Sequence, residues 1–231
     1  MSIELVVFDI AGTTVKDNNN VGQAFQYALK KFGFDIPLES VNKYMGYEKH
    51  VAIRGILLKY ANLEGDLDEK LIEDIHQVFV DEMIQYYENT QDLEPLPNVE
   101  DTFNRLRQLD VKIALNTGFS RSVTDVILKR LGWYDRKMID YVIASDEVLK
   151  GRPFPNMINH LMQEADVTDP NKVAKVGDTE VDVNEGKNVG CRYIIGVTTG
   201  SFTREELESY EPTHIIDDMA ELLTIIQQNE E

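Results

Sequence analysis

The first apolar stretch of the chain constrains its fold more than any other feature. Residues 3–8 are almost all apolar, and Asp9 follows them directly. A strand that is apolar on both faces suits the interior of a parallel sheet, and such strands deliver catalytic groups at their carboxyl ends. Gly12 permits a tight turn, and Thr13 offers a hydroxyl and a backbone N–H to an anion. The stretch predicts a buried strand with Asp9 at a functional edge; an ordinary acidic residue before a turn is the alternative.

A regular alternation of strand and helix patterns follows Pro97. Short apolar runs separated by helical periodicity predict a parallel sheet with helices on both faces. The later strands are predicted at residues 111–115, 141–144, 173–176, 193–197 and 213–216. The predicted fold class is therefore α/β, with a Rossmann-like, doubly wound parallel sheet as its core.

A long helical segment separates the first two predicted strands. About 100 residues lie between them, whereas a crossover between parallel strands needs only about a dozen residues plus loops. Helical periodicity fills the excess, and Pro95 and Pro97 close it. We predict that residues 17–93 form an inserted helical cap beside Asp9, and that residues 1–16 and 94–231 form the core. Caps of this kind can exclude water and contact substrate.

Charge and composition argue against several classes of partner. The 231 residues carry a formal net charge of −18, which repels nucleic acid and anionic membranes. No apolar run approaches the roughly 20 residues that span a bilayer, and the apolar N-terminal stretch is too short for a signal peptide. The single cysteine, Cys191, excludes an intramolecular disulfide. We therefore expect a cytoplasmic protein that binds neither nucleic acid nor membrane.

Polar residues also follow the later strands. Thr117 follows the second strand, a loop with Arg152 follows the third, and Asp178 and Asp182 follow the fourth. Because the carboxyl ends of parallel strands share one edge, these side chains can converge on Asp9. The three aspartates are the hard oxygen ligands that Mg²⁺ prefers, and the planar donors of Arg152 suit a phosphoryl group. The alternative is that the later aspartates only favour a helix N-terminus and that Arg152 is a surface charge.

In this order and spacing, the four segments resemble the haloacid dehalogenase superfamily of phosphotransferases, and the resemblance spans essentially the whole chain. It implies a Mg²⁺-dependent enzyme in which Asp9 is the nucleophile and forms an aspartyl-phosphate. It implies that Thr117 and Arg152 hold the phosphoryl group. The metal would be placed by Asp9, Ala11, Asp178 and Asp182, and the substrate would be contacted by Gly12, Thr13, Met45, Gly46, His50 and Gly118.

Ala11 departs from the usual pattern of that superfamily. Most of its phosphatases have a second aspartate at this position as general acid and base. The strings DIAGT and GRPFP, the latter with Arg152 in the place usually held by lysine, resemble the phosphonoacetaldehyde hydrolase (phosphonatase) branch. That branch forms a Schiff base between a cap lysine and an aldehyde substrate, and Lys49 in the string MGYEK matches that lysine. A protonated imine withdraws electrons from the departing carbon, so no acid is needed at position 11.

Imine formation requires Lys49 to be partly uncharged. We therefore expect burial or a neighbouring cation to lower its pKa. The chain differs from the branch at groups that could move protons: Ala52 replaces a histidine, asparagines at 18–20 replace a cysteine, and Phe119 replaces a phenol. His50, directly after Lys49, could take the part of the missing histidine, or it could be packed or solvated.

Three functions remain open on the sequence. The first is cleavage of the carbon–phosphorus bond of phosphonoacetaldehyde, or of a related small phosphonate, through a Lys49 imine and an Asp9 phosphoenzyme. The second is hydrolysis of a small phosphate monoester. The third is binding of a phosphorylated ligand without turnover, against which the intact Asp9 and Asp178 argue. The resemblance also suggests a homodimer formed through the cap.

Overall fold

The centre of the fold is a six-stranded sheet in which every neighbouring pair is parallel. The structure is a computed structural model that describes residues 2–61 and 67–227. Its strands are β1 (Leu5–Phe8), β2 (Lys112–Thr117), β3 (Tyr141–Ala144), β4 (Val173–Gly177), β5 (Tyr193–Val197) and β6 (His214–Ile216). Their order, β3-β2-β1-β4-β5-β6, is that of a doubly wound sheet. The predicted fold class is therefore confirmed.

Helices surround the sheet and fill the segment between β1 and β2. They are α1 (Asn20–Lys31), α2 (Leu38–Asn42), α3 (Lys49–Tyr60), α4 (Glu69–Asn89), α5 (Val99–Gln108), α6 (Arg121–Leu131), α7 (Asn156–Glu164), α8 (Glu180–Val189), α9 (Arg204–Glu208) and α10 (Glu221–Gln227), with short 3₁₀ turns at Ser145–Glu147 and Pro170–Lys172. In the described part of the chain, none of these helices combines the length and the apolar character that crossing a bilayer requires.

Helix α9 was not predicted, because its five residues contain a single apolar side chain and so carry no periodicity. That side chain, Leu207, is fully buried. A capping box starts the helix: the Thr203 hydroxyl accepts from the N–H of Glu206, and the Glu206 carboxylate accepts from the N–H of Thr203. Local capping and one buried anchor are therefore enough to form this turn.

Strand β1 lies at the centre of the sheet, between β2 and β4. Its side chains alternate between two apolar layers: Val6 and Phe8 belong to one buried cluster, and Leu5 and Val7 to the other. Helices α5, α6 and α10 contribute to the first cluster, and α7, α8 and α9 to the second. The apolar character of residues 3–8 thus follows from burial on both faces of the sheet.

Strands β2 and β4 extend further than their apolar runs predicted. The pairing continues through Asn116 and Thr117 in β2 and through Gly177 in β4. Polar Asn116 is tolerated inside the sheet because its side-chain amide donates to Glu185 and its oxygen accepts from Lys175. The polar end of β2 is therefore part of the strand and not of a loop.

Helices α1 to α4 form one packed unit next to the carboxyl edge of the sheet. Phe25 of α1 meets Phe79 of α4 edge to face, with ring centroids 4.9 Å apart. The chain enters and leaves this unit side by side, since the N–H of Lys16 donates to the carbonyl of Glu94 (3.1 Å). On the core side, α4 packs against α6. We propose that this unit is the predicted cap of residues 17–93.

Candidate active site

The carboxyl ends of β1, β2 and β4 open into one small cavity. Asp9 follows β1, Thr117 ends β2 and Asp178 follows β4, and all three side chains are buried. The cavity has a volume of about 30 Å³, which is room for about two water molecules. Its lining comes from both the core and the inserted helices: Asp9, Ala11, Asp17, Val21, Met45, Gly46, Lys49, Thr117, Gly118, Phe119, Arg152, Asp178, Thr179 and Ser201.

Three buried carboxylates meet at this cavity. One oxygen from each of Asp9, Asp178 and Asp182 lies within 4.8 Å of the others. Burial raises the pKa of Asp9, and burial together with the charges of Asp9 and Asp182 raises the pKa of Asp178 well above its ordinary range. Repulsion among buried like charges disfavours ionisation unless a cation compensates it. The site is therefore electrostatically suited to a divalent cation.

Asp182 is fully engaged by protein donors. Oδ1 accepts from Nη1 of Arg152 and pairs with Nζ of Lys175 at 2.9 Å. Oδ2 accepts from the hydroxyl of Thr179 at 2.6 Å. Although burial opposes ionisation, Arg152 and Lys175 hold the pKa of Asp182 down to about 2. The second guanidinium nitrogen of Arg152, Nη2, lies 2.8 Å from Oδ1 of Asp9, so Asp182 fixes Arg152 against Asp9.

The turn after β1 holds Asp178. The hydroxyl of Thr13 donates to Oδ1 of Asp178 (3.0 Å), and the backbone N–H of Ser201 donates to Oδ2 (2.6 Å). Gly12 has a φ of +84°, and a Cβ there would lie 2.7 Å from Oδ2 of Asp178 and 2.9 Å from Cα of Gly200. Glycine is therefore required at position 12 both for backbone conformation and for close approach.

Lys49 is the first residue of α3 and points into the cavity. The Glu48 side chain begins that helix by accepting from the N–H groups of His50 and Val51. Lys49 is only 4% exposed, and its Nζ donates to the carbonyl of Tyr47 at 3.2 Å. Its Nζ also lies within 6.0 Å of three ring centroids, those of Phe25, Phe79 and Phe119.

The environment of Lys49 disfavours its charged form. Burial, and after it the positive charge of Arg152, lowers the pKa of Lys49 to about 8. This confirms the expected lowering by burial or a neighbouring cation. At pH 7, roughly a tenth of the molecules therefore carries an uncharged amine in the same cavity as Asp9.

The loop before α3 docks tightly on the core. Gly46 has a φ of +82°, and a Cβ there would clash with Val181 and Thr179 of the core. A Cβ on Gly118 would lie 2.6 Å from the carbonyl oxygen of Tyr47. The Tyr47 hydroxyl donates to Oε1 of Glu180 at 2.5 Å. Two glycines thus permit the contact that closes the cavity over Asp9.

The predicted site residues fall into three groups by position. Those that line the cavity are Asp9, Ala11, Met45, Gly46, Lys49, Thr117, Gly118, Arg152 and Asp178. Gly12, Thr13 and Asp182 lie directly behind that lining and contact its members. His50 lies apart from it, because its ring nitrogens face Glu48 (2.7 Å) and Glu73 (2.9 Å).

Several residues of the site were not predicted. Asp17 lines the cavity, and its carboxylate accepts from the N–H groups of Asn20 and Val21 at the start of α1. Beneath the cavity, Nζ of Lys175 lies 2.6 Å from Oδ1 of Asn116. The sequence does point to Lys175, because a lysine in the middle of an apolar strand requires buried polar partners.

Comparison with known proteins identifies the family to which this fold and this site belong. A family model described as haloacid dehalogenase-like hydrolase matches residues 6–196. The chain therefore belongs to this family and is an enzyme of the hydrolase class.

The proteins similar to this chain include one relative with a known name and two solved structures. The phosphonoacetaldehyde hydrolase of Bacillus cereus (strain G9842) is 32% identical over 227 residues, covering 93% of this chain and 84% of the relative. A phosphonoacetaldehyde hydrolase-like protein from Oleispira antarctica has a TM-score of 0.80 at 22% identity, covering 98% of this chain and 92% of that one. A putative phosphoglycolate phosphatase from Lactobacillus delbrueckii has a TM-score of 0.76 at 21% identity, covering 98% and 99%. The two structures share the fold.

The pKa of Lys49 can be measured directly. With lysines labelled at ¹³Cε, we expect one resonance to titrate near pH 8, because burial and Arg152 favour the uncharged amine. That resonance should be missing from Lys49→Arg and present in Lys150→Arg, a change at an exposed lysine. A Lys49 resonance that titrates at the ordinary value of 10.5 would contradict the burial argument.

Proposed function

We propose that this hydrolase cleaves the carbon–phosphorus bond of phosphonoacetaldehyde or a related small phosphonate, through an imine on Lys49 and an aspartyl-phosphate on Asp9. One observation carries the proposal: a buried lysine shares the cavity with the Asp9 carboxylate, while Ala11 stands where a phosphatase acid is expected. The 32% identity to a phosphonoacetaldehyde hydrolase supports it. An imine makes the carbon a better leaving group, so the absent acid and the buried lysine are mutually consistent.

The reaction would proceed in two covalent stages. The uncharged amine of Lys49 attacks the aldehyde carbon, and the resulting carbinolamine takes up one proton from solvent and loses water to give a protonated imine. The Asp9 carboxylate then attacks phosphorus; the carbon–phosphorus bond breaks, and its electron pair moves to carbon to form an enamine on Lys49. Water hydrolyses the aspartyl-phosphate to phosphate. Protonation and hydrolysis of the enamine release acetaldehyde and restore the lysine.

Arg152 and Thr117 would hold the phosphoryl group beside Asp9. Nη2 of Arg152 already lies 2.8 Å from Asp9, and its Nε is buried without a hydrogen-bond partner among the described residues. A planar guanidinium with donors to spare is suited to phosphoryl oxygens. Asp182 would act by orienting this guanidinium, because both of its oxygens already accept from protein donors.

A divalent cation fits the remaining carboxylates. Asp9 and Asp178 line the cavity with Ala11, and their raised pKa values reflect burial and repulsion from neighbouring aspartates, which a cation would relieve. We propose that these three residues hold Mg²⁺, Ala11 through its carbonyl oxygen. When bound, Mg²⁺ supplies positive charge that lessens repulsion between the carboxylate nucleophile and the phosphoryl group. Thr13 and Ser201 orient Asp178 for this task.

Substrate entry would require the cap to move. A cavity of about 30 Å³ is smaller than a phosphonate, so we propose that residues 45–48 leave the core to admit substrate and return to exclude water. The two neighbouring segments that connect the cap to the core, near Lys16 and Glu94, would act as the hinge. A cytoplasmic location and a homodimer stay predictions from the sequence.

Hydrolysis of a small phosphate monoester is the second candidate. The favouring observation is the likeness in fold to a putative phosphoglycolate phosphatase, with a TM-score of 0.76. In that case Lys49 would bind substrate charge and a water molecule would have to replace the acid missing at Ala11. Binding without turnover is the third candidate, and the complete set of Asp9, Arg152 and Asp178 argues against it.

Removal of one carboxylate should abolish Mg²⁺ binding. Saturation of the native chain with Mg²⁺ at about 100 times Kd should raise its free energy of unfolding by about 2.7 kcal/mol. Asp178→Asn should show no such gain, whereas Asp135→Asn, at an exposed position, should match the native chain. Equal stabilisation of all three proteins by Mg²⁺ would refute the assignment of Asp178 as a ligand.

Replacement of the lysine should separate the two candidate activities. Lys49→Arg keeps the positive charge but has no accessible uncharged amine, so carbon–phosphorus cleavage should fall at least about 1,000-fold. Hydrolysis of p-nitrophenyl phosphate, which has a good leaving group, should change much less. The assay is phosphate release from both substrates, with Lys150→Arg as the matched control.

Each outcome of that assay has a distinct meaning. Retained carbon–phosphorus cleavage in Lys49→Arg would exclude the imine. Equal loss on both substrates would make Lys49 a phosphoryl-binding residue. Turnover of phosphate esters alone by the native chain would establish the phosphatase function.

A further inference from the structure

A second cluster of metal-binding side chains lies outside the cavity, between α3 and α4. His50 is the second residue of α3, and Glu73 and His76 are three residues apart on α4, a spacing that puts both on one helix face. One ligand atom from each residue lies within 4.8 Å of the others. These side chains take no part in the proposed reaction.

We propose that His50, Glu73 and His76 form a binding site for a divalent transition-metal ion of the Zn²⁺ class. The donors would be Nε2 of His50, the carboxylate of Glu73 and Nδ1 of His76. Two imidazoles and a carboxylate are a known ligand set for Zn²⁺ and leave its fourth position to water.

The hydrogen bonds of His50 orient it as a metal ligand. Its Nδ1 lies 2.7 Å from Oε1 of Glu48, and its Nε2 lies 2.9 Å from Oε2 of Glu73. Metal-binding histidines commonly donate the other ring N–H to a carboxylate, which fixes the ring and the tautomer. Glu48 is itself fixed, because it accepts from the N–H groups that begin α3. The outer partner of a metal site is therefore already in place.

His76 supplies an independent observation. Its Nδ1 is buried and, among residues 2–61 and 67–227, has no hydrogen-bond partner. This nitrogen lies 3.9 Å from Oε1 of Glu73, and the His50 and His76 ring centroids are 4.1 Å apart. A buried, unpaired nitrogen facing a carboxylate is what a metal ion would satisfy.

The donor set separates this site from the carboxylate site of the cavity. Imidazole nitrogens favour Zn²⁺ and its neighbours, whereas all-oxygen sets favour Mg²⁺. Glu73 is mostly exposed, so an ion can enter from solvent without opening the cavity. A bound ion would join the first turn of α3 to α4 and so stabilise the inserted helices that carry Lys49.

The test is a Zn²⁺ titration of the metal-free full chain in excess Mg²⁺, with a chromophoric chelator as competitor. We expect one Zn²⁺ per chain and a rise in Tm. Glu73→Gln, a change at an exposed position, and His76→Ala should both lose that binding. Glu48→Gln should weaken it about 10- to 100-fold.

Two matched variants make the result decisive. His160 and Glu164 form a similar pair on α7, and within residues 2–61 and 67–227 no third ligand completes it, so His160→Ala should bind Zn²⁺ normally. Asp178→Asn, which alters the cavity, should also bind normally. The proposal is wrong if the native chain binds no Zn²⁺, if Glu73→Gln binds as tightly as the native chain, or if Asp178→Asn removes the binding.

Discussion

The rest of the site depends on the ion pairs that the buried carboxylate of Asp182 forms. It joins Arg152 and Lys175 beneath the carboxyl edge of the sheet, where water cannot screen them. Removal of one partner from such a pair leaves an uncompensated buried charge and costs about 3–5 kcal/mol. Because Asp182 holds Nη1 of Arg152, the other terminal nitrogen, Nη2, is positioned beside Asp9. In the proposed mechanism, the position of the phosphoryl group is therefore set before any substrate binds.

The lowered pKa of Lys49 depends on the inserted helices. Lys49 has a lowered pKa because it is buried under the loop that docks through Gly46 and because Arg152 lies near it. The same contact that shuts out water thus also makes the amine partly uncharged. In the proposed mechanism, opening of the cap would expose Lys49 and return its pKa toward the ordinary value, so the imine chemistry would be confined to the closed form.

Much of the fold and of the site could be predicted from the sequence, because a strand and the residues at its end are recognised from a short stretch of chain. Strand β1 is apolar on both faces, and the residues that follow strands of one parallel sheet must share an edge, which brought Asp9, Thr117 and Asp178 together. Lys175 could not be assigned a role, because its partners come from distant elements that no periodicity connects. The direction of His50, by contrast, could have been inferred: successive residues of a helix point about 100° apart, so His50 does not face the cavity beside Lys49.

The most direct test of the account is to trap the covalent intermediate on Lys49. The native chain would be incubated with phosphonoacetaldehyde and Mg²⁺, reduced with borohydride during turnover, and mapped by peptide mass spectrometry. The account predicts release of phosphate and acetaldehyde together with a reduced two-carbon adduct on the peptide that contains Lys49. Release of both products without an adduct, or with an adduct on another lysine only, would contradict it.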